Sequence, residues 1–311
     1  MLLGMGIAAL MAAAAPASPP PPAIEEQTLD VPGFADFLAV DGDGVWATNK
    51  GRVERWSRKG RLAAVPMAGP CGAMAVAAGS LWVADCKDAT VVRIDLATAK
   101  VAARIPTGIA NPKGETNVVF GAGSIWVPSD DAGGIARIDP KTNRVVGTVR
   151  VDPGTHYLAF GLGALWAVSS AGRTLQQIDP ATDKVVRRIA LGAQPGFLVA
   201  GEGAVWVQEQ GDGTVARIDP RSGTVTGRVK VGADLKYGDI DAGGGRIWLR
   251  TTADQTMVVI DPASLKIVAR LGKPAGSGAL RYVGQGAGTG LWTSAHDVHT
   301  LSWWRLGTPP R

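Results

Sequence analysis

The sequence predicts an all-β fold: a seven-bladed β-propeller of four-stranded blades, its ring closed by the N-terminal strand. Three observations carry that prediction. A tryptophan recurs at spacings of 36 to 44 residues, at Trp46, Trp82, Trp126, Trp166, Trp206, Trp248 and Trp292. Five of these are followed 13 residues later by an aspartate: Asp95, Asp139, Asp179, Asp219 and Asp261. Each interval also breaks into four short apolar runs parted by turn residues, the spacing of one propeller blade.

The chain begins with "LLGMGIAALMAAAA" (2–15), an apolar run that carries no charge, and Ala15-Pro16-Ala17 fits a small-x-small cleavage site. The run is too short to span a bilayer comfortably. Residues 1–17 are therefore expected to be a secretory signal peptide, although no Lys or Arg precedes the run. A proline-rich linker (18–26) and the propeller (27–311) follow. The expected protein is secreted or periplasmic, with no stable membrane span.

One repeat, "GLGALWAVSSAGRTLQQIDPATDKVVRRIALGAQPGFLVA" (161–200), shows what each letter does. The tryptophan falls on the second strand, where it fills the space between neighbouring sheets. Burying such a side chain contributes roughly 1.5–3 kcal/mol or more. The D-P-x-T pattern makes the turn between third and fourth strands: Asp supplies an Asx-type hydrogen bond and Pro presets φ. The G-x-G before the tryptophan permits a tight first hairpin. The repeated aspartates thus read as scaffold, not as bases or metal ligands.

The seventh repeat stops after a third strand, "TLSWWRL" (300–306). The missing fourth strand is supplied from the other end, since "QTLDVPGFADFLAV" (27–40) resembles "TVRVDPGTHYLAF" (148–160). This leaves no unpaired edge at the seam. Abundant glycine (42 residues) among only 19% charged residues suits many short strands joined by tight turns.

The copies of "GAGSIWV" and "RIDPKTNRVVGTV" resemble the YVTN-type forty-residue propeller repeat, and more distantly the streptogramin (virginiamycin) B lyase-like propellers, over almost the whole mature chain. The second resemblance implies a His and Glu pair working with magnesium to open a lactone by elimination. Their motif has no counterpart here: His156 leads "HYLAFGLGALWAVSS", and Ser169-Ser170 stand where the acid is needed. No catalytic residue is carried over.

Cys71 and Cys86 flank a hairpin that turns at Ala78-Gly79. On that register they face each other directly, roughly 4.5–5.5 Å apart at Cα, which predicts a disulfide in an exported chain.

Function is expected on one face. G-x-G hairpins and D-P-x-T turns occupy one end of the ring, and the longer, variable loops occupy the other, where binding residues collect. His156, His296 and His299, with the acids Glu115 and Asp239, are the candidate catalytic residues there. Asn117, Lys236, Tyr237, Arg281 and Asp297 are candidate ligand-binding residues. In "HDVH" the two imidazoles could share a cation, or Asp297 could orient His296 as a base.

Net charge is +5, but Arg137, Arg144, Arg187, Arg188, Arg217 and Arg228 are spread around the ring and alternate with acids. They read as a solvated rim, so nucleic acid is not the expected partner. Two functions stay open: a monomeric recognition protein for a small ligand, peptide or protein, and a lyase or hydrolase with a His/acid site. No cofactor is required; a divalent cation such as Mg²⁺ would serve the second.

Overall fold

The computed structural model describes residues 24–42, 44–108, 115–128, 132–235, 238–251, 257–272, 276–284 and 289–306. The expected signal peptide and all but the last three residues of the linker lie outside them.

Seven four-stranded antiparallel sheets form the ring. Blades one to six span 38–66, 75–106, 119–150, 155–190, 195–230 and 240–271. The seventh takes its three inner strands from 280–306 and its outer strand from Ile24–Asp30, which pairs with Thr300–Leu306 in the register Gln27↔Trp303. The closing strand thus begins inside the segment expected to be linker. A single 3₁₀ turn, Gln210–Asp212, is the only helical element among the described residues, and none of them forms a helix long and apolar enough to cross a membrane.

The tryptophans do hold the ring together. There are seven apolar clusters, one at each blade interface, and each contains one second-strand tryptophan. All seven indoles are at most 2% exposed. Burial would leave the indole N–H unsatisfied, and the repeat provides a partner: in five blades Nε1 donates to the carbonyl five residues back, as Trp126 does to Gly121 at 3.0 Å. In the first blade Trp46 donates to the Asp41 carboxylate instead.

The repeated aspartates are turn residues. Asp139 accepts from the Lys141 N–H and the Thr142 hydroxyl, both at 2.9 Å, and Asp179 is bonded the same way by Ala181 and Thr182. Those hydrogen bonds hold both carboxyls below their ordinary value.

Two expectations need correction. The arginines form a solvated rim only in part: Arg144, Arg188 and Arg228 are exposed, while Arg137, Arg187 and Arg217 are half-buried. Arg93, Arg137 and Arg217, each the cross-strand partner of a tryptophan, lie over the Trp82, Trp126 and Trp206 rings at 5.1, 5.1 and 5.9 Å. Arg137 also pairs with Asp183 of the next blade at 3.0 Å, and Arg187 reaches the Arg221 carbonyl one blade on. Arg188 and Arg228 pair with Asp152 and Glu209.

The second correction concerns the cysteines. They are joined in a disulfide with Cα atoms 5.9 Å apart, yet they are not directly opposed. Ala75↔Trp82 keeps the expected register, but Cys71 N–H donates to Ala84 and Cys86 N–H to Gly69, a slip of two. Gly72 (φ +90°) makes the irregularity, and a Cβ there would overlap the Thr116 carbonyl. The disulfide therefore bridges a diagonal.

Candidate functional site

The loop-rich end is built by polar residues three positions after the tryptophans, which hold the blade-to-blade loops from beneath. Asn49 Oδ1 accepts from Phe34 N–H (2.6 Å) while its Nδ2 donates to the Pro32 carbonyl and to Glu54. Asp85 accepts from the Ala68 and Gly69 N–H groups, and buried Glu209 accepts from Gly192. These three loops, leading into blades one, two and five, are therefore held by side chains of the strands they lead back to.

Three cavities meet at this end. A channel cavity of about 360 Å³ runs between the inner strands. A mouth cavity of about 190 Å³ is walled by Phe34, Phe37, Phe197 and His296. A side cavity of about 510 Å³ lies between the first two blades, against Phe34, Phe37, Pro70 and Cys71. Asp239 lines both channel and mouth; Asp36 and Glu115 line both mouth and side cavity. Three carboxyl groups, on the loops into blades one, three and six, thus line the mouth cavity, Asp239 at its border with the channel and Asp36 and Glu115 at its border with the side cavity.

Their partners differ. Asp239 accepts from the Ile240 and Leu280 N–H groups and pairs with Arg281. Burial works against the Arg281 charge, but Asp239 and the nearby Asp241 together outweigh it and raise the pKa. Glu115 accepts from the Tyr157 hydroxyl at 2.9 Å. Burial lifts the Glu115 carboxyl above its ordinary value, assisted by Asp239 and opposed by the Tyr157 bond; burial, then the negative charge of Glu115, raises the Tyr157 phenol well above its own. Asp36 has no hydrogen-bonding partner for its carboxyl among the described residues. Burial, then repulsion from Glu115 and Asp239, pushes it up to about 8, so it carries its proton at pH 7.

Aromatic rings line the same region. Tyr157 and Phe197 lie 4.3 Å apart, Phe37 and Phe197 6.3 Å. Phe34 stacks on His296 at 4.2 Å. The His296 Nε2 shares a hydrogen bond with the Ser277 hydroxyl (3.2 Å), and its Nδ1 is buried without a partner. Burial outweighs the opposing charge of Asp297 and lowers its pKa, leaving a neutral imidazole.

Of the residues expected from sequence, the structure brings Glu115, Asp239 and His296 to one cavity, with Arg281 in the adjoining channel. Asn117 also lines the channel, but its carboxamide is committed to blade four, donating to the Leu158 carbonyl and accepting from its N–H at 2.6 and 2.7 Å. Asp297 accepts from the Ser277 N–H and does not hydrogen-bond His296. His299 is an exposed turn residue at φ +59°, and His156 stands edge-on to Tyr157 at 6.4 Å; neither lines the three cavities. Lys236 and Tyr237 lie outside the described residues. No group of three or more His, Cys, Asp or Glu among the described residues is arranged to hold a metal ion.

Sequence reasoning missed Asp36 and Asp241. A signal existed. The inner-strand residues paired with the seven tryptophans are Ala39, Ala75, Val119, Ala159, Val199, Asp241 and Arg281. Charge at that position occurs only in blades six and seven, and Asp36 lies three residues before it in blade one.

No family profile matches the sequence, and no curated protein matches it. Among solved structures the chain is similar to virginiamycin B lyase from Staphylococcus aureus, at 16% identity over 91% of this chain and 100% of that one, with TM-score 0.79. It is similar to a streptogramin B lyase at 16% identity, over 92% and 98% of the two chains, with TM-score 0.75. Hydrazine synthase of Kuenenia stuttgartiensis shares the architecture too, at 15% identity over 89% and 96%, with TM-score 0.72. What these likenesses show is the propeller fold, which hosts unrelated functions.

Proposed function

We propose that this chain is an exported, non-catalytic member of the YVTN-type propellers that binds a small molecule at the loop-rich mouth of its channel. The observation that carries the reading is the mouth cavity lined by Asp36, Glu115 and Asp239, which borders the channel at Asp239 and the side cavity at Asp36 and Glu115. The side cavity is of ordinary ligand-site size. Its walls mix aromatic rings with a few convergent polar groups, which is how small-molecule sites are built. Export is supported by the apolar run 2–15 and by the disulfide, a bond that persists in oxidising compartments.

The test is a small-molecule screen by thermal shift on the mature chain, repeated on Phe37→Ala and Phe197→Ala. Hits whose shifts vanish in both variants support the reading; hits indifferent to both place binding elsewhere and overturn it.

The second reading is a lyase like the streptogramin B lyases that share the ring. One observation favours it: the neutral His296, its Nδ1 unpartnered, lines the same cavity as the protonated Asp36, which supplies a base and an acid together. Opening of a streptogramin B lactone, lost in His296→Ala and Asp36→Asn, would replace the first reading with this one.

A further inference from the structure

We propose that the mouth site is selective for an organic cation, a primary amine on an apolar body, seated with its ammonium among Asp36, Glu115 and Asp239 and its body along Phe34 and Phe37. The inference rests on the reading of this face as a small-molecule site and names the class of ligand.

The charges are the first argument. Three carboxyl groups line the mouth cavity. Of the cations near them, Arg281 is already paired with Asp239, buried Arg250 behind Asp239 donates to the Gly276 carbonyl, and Lys50 is an exposed residue of the side cavity. An ammonium group brings three donors to these acceptors, and charge-assisted bonds to carboxylates are the stronger kind. An anionic ligand would meet repulsion at the same point.

Unmet hydrogen bonding is the second argument. The Asp36 carboxyl faces two cavities and has no hydrogen-bond partner among the described residues, its surroundings acting on it only through burial and repulsion. Next to the cavity floor at Gly238, the wholly buried Gln208 has neither carboxamide atom paired. Buried polar groups ordinarily find partners, and the unpaired atoms of Gln208 and His296 beside this cavity are what a bound polar group would help to satisfy.

Shape is the third. The mouth cavity, about 190 Å³, holds roughly six water volumes at about 30 Å³ each, room for a polar head. The larger side cavity continues from it past Phe34, Phe37, Pro70 and Cys71, room for an apolar body.

A proton signature follows. Asp36 faces Glu115, Asp239 with its partner Arg281, Tyr157 and neutral His296, and in this setting it keeps its proton at neutral pH. Seating an ammonium beside it favours the ionised carboxyl, so binding expels that proton to solvent. Affinity then rises with pH from 6 to 8 while the amine stays charged.

The experiment is isothermal titration of the mature, disulfide-bonded chain with benzylamine, benzyl alcohol and benzoate, in two buffers of different ionisation enthalpy at pH 6 and 7.5. Benzylamine is expected to bind with proton release and to gain several-fold in affinity at the higher pH; the neutral and anionic probes are expected to bind at least tenfold more weakly. Asp36→Asn should lose roughly tenfold or more of the affinity at pH 7.5 and flatten the pH dependence. Glu115→Gln, a milder change, should weaken binding and leave the pH dependence in place, and circular dichroism checks that both fold. Equal binding of all three probes, or binding of benzoate alone, overturns the cation and leaves the small-molecule site standing. Binding of benzylamine that is indifferent to Asp36→Asn, or its displacement by millimolar MgCl₂ in favour of the metal, overturns it as well. If no probe binds, the amine proposal fails, while the thermal-shift screen decides the broader reading separately.

Discussion

Replacing Asp36 by Asn should make the protein more stable, and increasingly so as pH rises. The carboxyl titrates near 8 in the folded chain and near 3.8 when unfolded. Between those values the folded state holds a proton that the unfolded state has released. Stability conferred by this group is fully present below the unfolded value and is lost as pH climbs toward the folded one. Each pH unit is worth about 1.4 kcal/mol, so the penalty is about 1.5 kcal/mol at pH 5 and about 4 kcal/mol at pH 7. Asparagine has the same shape and no charge to bury, and its removal of a nearby acid also relieves Glu115, which stands in the same cavity. Urea midpoints of the two proteins at pH 5 and 7 measure the difference, with equal slopes m as the check that the unfolded states match. The variant should exceed the wild type at both pH values, with the gap widening by at least about 1 kcal/mol over the interval. A constant gap, or a variant less stable than wild type at pH 7, refutes the account of Asp36 as a buried acid under repulsion.

Other expectations concern the scaffold. Trp206→Ala, at a fully buried site between blades five and six, should cost about 3–5 kcal/mol in urea unfolding; a loss under about 1 kcal/mol would mean the indoles are not the wedges. Reducing Cys71–Cys86, which closes a separation of 15 residues, should lower stability by up to about 3 kcal/mol with the far-ultraviolet spectrum unchanged. A mass showing two free thiols in protein isolated without reductant would contradict the bond. Deleting residues 24–30 bares the edge of Thr300–Leu306; size-exclusion chromatography should then show association through that edge, and a monodisperse deletion variant of unchanged melting temperature would refute closure by this strand.

The ring was legible because each repeated letter acts locally. The tryptophan fills an interface, the D-P-x-T aspartate ties a turn, and the glycines permit a hairpin. Closure was legible because a strand was missing at one end and present at the other. The slip at Cys71 was not, since it depends on Gly72 taking φ +90° beside the third blade. Nor was the fate of the arginines: Arg137 stacks on Trp126 only because cross-strand register places them opposite. At the mouth, Glu115, Asp239, Arg281 and His296 were findable as polar residues in variable loops. Asp36 stood out only as the one acid at its repeat position; its protonated state is made by two acids from other blades, distant in the chain, and was not legible.

A repeat protein carries its own controls. Seven blades solve the same packing problem, so a residue that packing requires should recur, and one that recurs nowhere answers to something else. The second-strand indoles and turn aspartates recur. At the position three residues before the tryptophan's inner-strand partner the blades carry Asp36, Gly72, Thr116, His156, Gly196, Gly238 and Gly278; only the first is acidic. The other blades close without a carboxylate there, and in blade one its raised pKa predicts a weaker fold at neutral pH. Asp241 and Arg281 form a different case, because the Arg281 charge opposes the effect of burial on the Asp241 carboxyl. Asp36 has no such compensation among the described residues. A half-buried acid that borders two cavities and has no partner for its carboxyl among the described residues is what the proposed ligand would account for.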